Sequence, residues 1–317
     1  MVKSLVIRIL STLGLIELIR RLNKGSLTIL LYHGVAPNPP AGGDSGMYNY
    51  RGKFISPEVF SMELDYLKQY YTVLDLDEAL EKLQSGTLPP YSTVITFDDG
   101  YKNFYDYAFP ILKQHELTAT FFIPTDFVLK KIPLWIDRLE YVGLKNDAEI
   151  RQKLKSLPDE EKNQALEKLE KERKLENFDG NRSVYTPLSI EMIREMQTAG
   201  MKFGAHTEGH PILNKVETNK LHEEIGGSKN LLQQNIGQIS KVFCYPNGQS
   251  NDFNQNVLEE IKKTGFTSAL TTLEGMNTEN TNPYFLKRIT MDNIKDQKTF
   301  LFALSGLRGF LRKLKSF

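Results

Sequence analysis

The chain has 317 residues, of which 40% are hydrophobic and 25% are charged, so it can bury a full core as one large barrel or two ordinary domains. This composition argues against a disordered chain. The 40 lysines and arginines balance 39 acidic residues, which leaves no overall field that would favour nucleic acid. The single cysteine, Cys244, rules out an internal disulfide framework and fits a reducing compartment, although some secreted bacterial enzymes also lack disulfides, so the compartment stays open on this point.

The N-terminal stretch from Leu5 to Ile19 is apolar but is interrupted by Arg8 and Glu17. Its longest uncharged run, Ile9 to Ile16, is too short for a membrane-spanning helix, which needs roughly 20 apolar residues. No small-x-small cleavage site follows, which disfavours a cleaved signal peptide. We therefore expect residues 1–24 to form a peripheral amphipathic helix.

One unit then recurs along the chain: an amphipathic helix, a turn and a short apolar run typical of a buried strand. The predicted helix and strand pairs are 57–70 with 71–74, 103–114 with 118–123, 190–199 with 201–205, and 254–264 with 266–271. Gly200 and Gly265 stand where glycine commonly ends a helix. This alternation predicts parallel strands covered by helices, hence a (β/α) barrel or a doubly wound sheet.

Residues 145–183 interrupt the alternation. Pro158 followed by three acidic residues is a sound helix start, and the helix that follows is highly charged with few apolar positions. We interpret this stretch as an inserted helical lobe whose charges form a solvated face.

The C-terminal residues 298–317 predict a basic amphipathic helix. Apolar residues recur at alternating spacings of four and three from Phe300 to Leu314, and arginines and lysines lie among them. Such a helix suits a membrane surface, but it also suits a helix docked on the body of the protein.

Polar clusters follow three of the predicted strands. Asp98 and Asp99 follow the run 92–95, His206 and His210 follow 201–205, and the turn from Tyr245 to Gly248 follows 241–244. In a (β/α) barrel, side chains at the carboxyl ends of several strands converge on one axis, whereas an open sheet normally offers one switch point. The three clusters therefore favour the barrel.

One aspartate and two histidines are a sufficient ligand set for a divalent metal with an open position, and the second aspartate is then free to act as a base. A helix-capping role would explain one aspartate of the Asp98–Asp99 pair but not both. Mixed nitrogen and oxygen ligands suit zinc, and also cobalt, nickel, iron or manganese. A metal of this kind lowers the pKa of bound water from about 15.7 to about 7 and polarises a carbonyl, so the site predicts hydrolysis.

The motifs TFDDG at 96–100 and HTEGH at 206–210, in this order, resemble those of the polysaccharide deacetylases of carbohydrate esterase family 4, the NodB-homology group. The resemblance covers residues 26–293 and implies a distorted (β/α) barrel with fewer than eight units. It implies that Asp98 is the catalytic base and that the turn at Asn247 and Tyr245 helps to hold the oxyanion, through the backbone N–H of Asn247. The metal ligands that it implies are Asp99, His206 and His210.

The chain departs from the commonest family pattern in two places. It has Phe243-Cys244-Tyr245 where the commonest members have an arginine just before the proline turn, and it has no histidine after His222 to act as general acid. The sequence LYHGV at 31–35 instead resembles the branch that acts on poly-N-acetylglucosamine, so we expect His33 to be the acid, with a structural histidine as the alternative. Arg288 is a candidate to replace the missing arginine by pairing with Asp98, with a solvated surface position as the alternative.

Together these features predict a metal-dependent hydrolase that removes N-acetyl groups from an amino-sugar glycan. Hydrolysis of another amide or an O-acetyl ester would use the same parts, and a silent glycan-binding protein held at a membrane is a further alternative. A carboxylate-pair glycosidase is disfavoured because adjacent aspartates rarely achieve the opposed placement it needs. We expect the protein to be cytoplasmic or peripheral to the membrane rather than secreted, with no nucleic-acid partner.

Overall fold

The computed structural model describes residues 14–37, 53–143, 147–173, 186–292 and 294–309. Its β-strands are β1 (Thr28–Tyr32), β2 (Thr72–Val73), β3 (Ser92–Phe97), β4 (Thr120–Ile123), β5 (Lys202–Ala205), β6 (Val242–Cys244), β7 (Ser268–Glu274) and β8 (Leu286–Thr290). Its α-helices are α1 (Leu15–Leu22), α2 (Pro57–Tyr70), α3 (Leu76–Gln84), α4 (Phe109–His115), α5 (Thr125–Leu129), α6 (Trp135–Val142), α7 (Asp147–Ser156), α8 (Asp159–Glu172), α9 (Ile190–Thr198), α10 (Ser228–Ile236), α11 (Gln255–Lys263) and α12 (Gln297–Leu304).

The strands form a parallel, nearly closed barrel. Seven of them follow the order β5-β4-β3-β1-β8-β7-β6, and the short β2 pairs with β3. Leu30 of β1 lies opposite Ile95 of β3 on one side and Ile289 of β8 on the other. At the remaining gap, the N–H of Ser240, just before β6, donates to the carbonyl of Phe203 in β5 at 2.7 Å. The predicted barrel is confirmed, and the doubly wound alternative is excluded.

The central strands are buried along their whole length because helices cover the outside and side chains fill the inside. Every residue of β1, β3 and β4 is buried. Aromatic rings cross the interior: Phe97 stacks on Tyr32 with ring centroids 5.1 Å apart and on Phe121 at 4.8 Å. This packing fixes the strand that ends at the two adjacent aspartates.

One predicted helix differs in detail. Within the predicted helix 103–114, residues Phe104–Ala108 form a π-helical turn, in which the N–H of Phe109 donates to the carbonyl of Phe104, and α4 follows. Pro110 has no N–H and its ring crowds the carbonyl four residues earlier, so regular α-helical hydrogen bonding is interrupted at this point.

The helices α7 and α8 lie where the sequence predicts the inserted lobe, and residues 174–183 of that prediction lie outside the described residues. Leu154 and Leu166 are buried in the main core, and Arg138 of α6 pairs with Glu170 of α8 at 2.7 and 2.8 Å. The lobe is therefore docked on the barrel rather than tethered beside it.

The terminal helices pack on each other and on the barrel. Ile16 of α1 contacts Phe302 of α12, and the Arg20 guanidinium lies 4.4 Å from the centroid of the Tyr91 ring. Phe300 and Leu304 are buried, so the described part of the C-terminal helix docks on the body. Residues 1–13 and 310–317 lie outside the described residues. Among the described helices, none has the length and apolar character required to cross a membrane.

A buried acid lies between β1 and α2. The Tyr32 hydroxyl donates to Glu63 Oε2 at 2.8 Å, and Glu63 Oε1 has no hydrogen-bond partner among the described residues. Burial raises the pKa of Glu63 well above its usual range, and the hydrogen bond from Tyr32 opposes this only in part. A folded-state pKa above the unfolded one stabilises the protein at low pH, and this stability is lost as pH rises through the folded-state pKa.

We therefore expect Glu63→Gln to be more stable than the parent at alkaline pH, by on the order of 1 kcal/mol or more. Urea denaturation at about pH 5 and about pH 8.5 measures the free energy of unfolding in both proteins. The parent should lose stability relative to the variant between the two values, because only the parent must bury a charge at high pH. Parallel pH dependence in the two proteins would contradict the assignment.

Candidate active site

The first part of the site is the turn at the end of β3. The N–H of Asp98 donates to the Tyr32 carbonyl at 3.0 Å, which continues the β1–β3 pairing up to this residue. Asp99 and Gly100 then have φ angles of +83° and +75°, in the left-handed region. Because this turn breaks the strand's alternation, both carboxylates line the same cavity instead of pointing to opposite sides of the barrel.

The second part is the loop after β5, which carries His206 and His210. Loop geometry rather than a helix places these histidines, and His210 has a φ angle of +57°. Glu224 holds the segment between them, because its Oε2 accepts the backbone N–H groups of Glu208 and Gly209 at 3.0 Å each. The role of Glu224 could not be predicted from the sequence, because nothing in the surrounding π-helical turn signals a contact with this loop.

Asp99, His206 and His210 come together as a metal-ligand set. Asp99 Oδ1 lies 3.7 Å from His206 Nε2 and 3.3 Å from His210 Nε2, and the ligand atoms all lie within 4.8 Å of one another. His206 Nδ1 donates to the carbonyl of Cys244 at 2.8 Å, so its Nε2 carries the lone pair that a metal needs. The three buried groups fit a divalent ion in number, type and orientation.

Asp98, His206 and Cys244 form a second, overlapping group. Two members of this group, Asp98 and Cys244, are less suited to bind a metal. The Asp98 carboxylate is held by an arginine, and burial raises the pKa of the Cys244 thiol, which disfavours the thiolate that a metal binds. The first set is therefore the better metal site.

Asp98 forms a bidentate ion pair with Arg288 of β8. Nη1 donates to Oδ1 at 2.8 Å and Nη2 to Oδ2 at 2.6 Å, while Nε donates to the Thr271 carbonyl at 2.8 Å. Arg288 is fully buried, which excludes the solvated surface position. Burial would raise the pKa of Asp98, but the guanidinium of Arg288 and the neighbouring His206 lower it below its usual value. The carboxylate is therefore ionised and oriented.

His33, at the end of β1, lines the same cavity. Its Nδ1 lies 3.0 Å from Asp292 Oδ1. Burial would lower the pKa of the imidazole, but Asp292 first, and then Asp99 and Asp98, raise it above its usual value. The raised pKa favours the protonated imidazolium of His33. Asp292 is the carboxylate partner of Nδ1, so Nε2 is the nitrogen that can donate a proton into the cavity.

The third predicted cluster is the turn after β6. Asn247 has a φ angle of +61°, and its backbone N–H makes no hydrogen bond with any described residue. Its carbonyl accepts the Thr272 hydroxyl at 2.6 Å, which anchors the turn against β7. A side chain on Gly248 would approach the Thr272 nitrogen to 2.8 Å, so this turn requires glycine. Asn247 lines the cavity with its N–H available.

Tyr245, in the same turn as Asn247, does not line the cavity. Its N–H donates to the Leu270 carbonyl at 3.1 Å, and its ring stacks on Phe253 with centroids 4.3 Å apart. The side chain is buried and is not among the residues that line the cavity. The structure thus gives Tyr245 a packing role, and the expected contribution to oxyanion binding rests on Asn247 alone.

The cavity has a volume of about 310 Å³ and extends from the strand ends to the lobe. Trp135 of α6 and Arg151 and Lys155 of α7 form its outer wall. At its edge, Lys53 Nζ lies 4.0 Å from Asp99 Oδ2 and 3.6 Å from Asp137 Oδ1. Burial raises the pKa of Asp137 to about 7, although Lys53 opposes the shift.

Side chains from separate parallel strands thus meet in one cavity, where a ligand set for a divalent ion adjoins an ionised carboxylate. This combination is that of a (β/α)-barrel hydrolase with a candidate site for a divalent metal. A sequence model of the polysaccharide deacetylase family matches residues 85–269. The chain belongs to the polysaccharide deacetylase family.

Individual relatives agree with this assignment. A poly-β-1,6-N-acetyl-D-glucosamine N-deacetylase of Staphylococcus aureus is 25% identical over 249 residues, which cover 75% of this chain and 68% of that protein. Among solved structures, the Streptococcus pyogenes deacetylase PplD superposes with a TM-score of 0.62 at 21% identity, covering 88% of this chain and 98% of that one. IcaB from Ammonifex degensii gives a TM-score of 0.60 at 21% identity, covering 89% and 97%. These structures share the fold.

Proposed function

We propose that this protein hydrolyses the N-acetyl group of an amino sugar within a glycan, releasing acetate and a free amine. The observation that carries the proposal is the Asp98 carboxylate, which Arg288 holds ionised beside the ligand set of Asp99, His206 and His210. A glycan-binding protein needs no general base at that position. The Staphylococcus aureus relative is named as an N-deacetylase of an N-acetylglucosamine polymer, which supports the same substrate class.

We propose zinc as the metal, because one carboxylate and two imidazoles form a three-ligand set that leaves a position open. Cobalt, nickel, iron and manganese accept the same donors and are the alternatives. When bound, the ion would supply Lewis acidity and a more acidic water.

Asp98 would accept the proton of the attacking water. The bidentate pair with Arg288 uses one lone pair on each carboxylate oxygen. The Cys244 thiol, 3.4 Å from both oxygens, can donate to one of them, so a second lone pair on the other oxygen remains for that proton. The backbone N–H of Asn247 would donate to the oxyanion that forms when the amide carbonyl is attacked. Base and oxyanion donor come from different strand ends, so the barrel itself sets their separation.

His33 would protonate the departing nitrogen. Because Asp292 occupies Nδ1, the proton would come from Nε2. We expect His33→Gln to lower kcat for amide substrates by about 10²–10⁴-fold. The variant should keep most of its activity on an aryl acetate, whose leaving group needs no proton.

The matched control for this variant is His222→Gln, because His222 is exposed and pairs with Glu260 away from the cavity. Equal losses on the amide and the activated ester would contradict the acid role and indicate a structural one.

The proposed function is tested by acetate release from N-acetylglucosamine oligomers, with protein stripped by a chelator and then reconstituted with zinc. Release that depends on added metal supports deacetylation. Release from O-acetylated but not N-acetylated oligomers would make the protein an esterase. Binding of oligomers without acetate release, despite stoichiometric metal, would make it a glycan-binding protein. Membrane association and a cytoplasmic location stay predictions.

A further inference from the structure

The two histidines of the metal-ligand set are held in different ways. His206 directly follows β5, and its N–H donates to the Ile123 carbonyl at 3.2 Å, which continues the pairing with β4. Its imidazole Nδ1 donates to the Cys244 carbonyl at 2.8 Å. Such a bond on the second ring nitrogen sets the orientation of a metal-ligating histidine. Neighbouring strands therefore fix both the backbone and the ring of His206.

His210 lacks this kind of support for its ring. Its Nδ1 is buried and has no hydrogen-bond partner among the described residues. Its Nε2 faces Asp99 Oδ1 at 3.3 Å, and its ring packs edge to face on that of His206 with centroids 4.8 Å apart. Both neighbours are themselves members of the ligand set. The placement of His210 therefore depends mainly on the backbone that carries it.

That backbone has an unusual conformation. Thr207 and His210 have φ angles of +67° and +57°, in the left-handed region that residues other than glycine rarely adopt. A β-branched residue such as threonine is especially disfavoured there. A segment of this kind keeps its shape only where the surrounding structure determines it. The contacts made by residues 206–210 thus decide where His210 lies.

The carbonyl groups of this loop are held by the start of α5. The N–H of Thr125 donates to the Thr207 carbonyl at 3.1 Å, and the N–H of Asp126 donates to the Glu208 carbonyl at 3.0 Å. These two bonds secure only one side of the loop backbone. The N–H groups at its centre point away from them and need an acceptor of their own.

Glu224 is that acceptor. Its Oε2 accepts the adjacent N–H groups of Glu208 and Gly209 at 3.0 Å each. Two successive amides that converge on one anion form a concave anion-binding arrangement, and bonds to a carboxylate are stronger than neutral ones. The next residue, Ile225, is fully buried in the main core, so the π-helical turn that carries Glu224 is anchored to the barrel. Among the described residues, Glu224 is the one side chain from outside the loop that binds its backbone.

We propose that Glu224 is a positioning residue of the metal site, which holds the loop so that His210 is in ligand geometry before the metal binds. The proposal rests on the metal site of the proposed function and adds to it a residue outside the ligand set. A ligand that is already in place loses less freedom when the ion binds, so the affinity for the ion is higher. Residues that orient metal ligands typically contribute about 10–100-fold in metal affinity.

Two substitutions separate the reach of Glu224 from its charge. Glu224→Asp keeps the negative charge, but its side chain is one methylene shorter and cannot reach both N–H groups in the same backbone geometry. Glu224→Gln keeps the length and an acceptor oxygen but removes the charge. We expect Glu224→Asp to lower zinc affinity by about 10–100-fold and Glu224→Gln to lower it less. Glu223→Gln is the matched control, since Glu223 lies in the same turn but is exposed and makes no hydrogen bond with the described loop residues.

Zinc affinity is measured on the full chain, stripped of metal and then titrated in competition with a chromophoric chelator. Hydrogen exchange of the metal-free protein, followed in peptides that span residues 206–210, reports the loop itself. We expect these amides to exchange faster in Glu224→Asp than in the parent, while those of β1 and β3 stay unchanged. Urea denaturation of the metal-free proteins measures any loss of overall stability.

The order of the affinities decides the proposal. Affinity that falls from the parent through Glu224→Gln to Glu224→Asp, with faster exchange in the metal-free loop, supports the positioning role. Weaker binding by Glu224→Gln than by Glu224→Asp would show that Glu224 acts through its charge and would overturn that role. Parental affinity in both variants, with or without a loss of stability in urea, would overturn it while leaving the metal site intact. A parent protein that binds no zinc would overturn the metal site of the proposed function and this proposal with it.

Discussion

Asp98→Asn is expected to lower kcat for deacetylation by about 10²–10⁴-fold while the protein still binds its metal. Asparagine keeps the shape of the side chain but cannot accept a proton from water at neutral pH. Asp98 is not a member of the preferred ligand set, so metal content should stay close to that of the parent. The loss would therefore lie in the chemical step and not in assembly of the site.

Asp99→Asn is the matched comparison, because it makes the same chemical change one residue further along the same turn. Here we expect the metal itself to be lost or strongly weakened, since Asp99 Oδ1 is the oxygen that faces both histidines. Metal analysis after gel filtration and acetate release, measured on both variants, separate the two roles. Metal loss in Asp98→Asn but not in Asp99→Asn would favour the overlapping set of Asp98, His206 and Cys244 instead.

The sequence was sufficient to predict those residues whose position follows from strand direction alone. Asp98, Asp99 and His206 come directly after buried strands, and His210 lies four residues beyond His206 in the same loop. Parallel strands in a barrel bring their carboxyl ends to one place. The pairing of Asp98 with Arg288 could be predicted in the same way, because Arg288 lies in one of the parallel strands. Local spacing and barrel topology thus determine most of the chemistry.

Other parts of the site depend on packing between distant segments. Glu224 reaches the metal loop from a π-helical turn, and Lys155 reaches Asn247 from the lobe across 92 positions of sequence. Tyr245 is the opposite case: the sequence predicted a role in the active site, but its ring is buried and stacks on Phe253. No periodicity or motif encodes such contacts, which arise from how whole elements dock.

Arg288→Met is expected to destabilise the protein by about 3–5 kcal/mol, because it leaves the Asp98 carboxylate buried without its partner. Methionine fills much of the same volume, so the loss reports the charge more than the packing. The double variant Asp98→Asn with Arg288→Met removes both charges and should be less destabilised than the sum of the single substitutions. Urea denaturation of the four proteins gives the coupling energy directly.

The same substitution has a predicted effect on catalysis. Burial favours the protonated form of Asp98, and Arg288 is the main group that opposes it and keeps the pKa low. Without Arg288 the pKa of Asp98 should rise, so the acid limb of the pH–rate profile should move to higher pH and the base should be lost to protonation sooner as pH falls. Arg288→Lys, which keeps a charge but not the two parallel hydrogen bonds, should shift the limb less. An unmoved profile in Arg288→Met would mean that the arginine only supports the fold and that another group sets the basicity of the site.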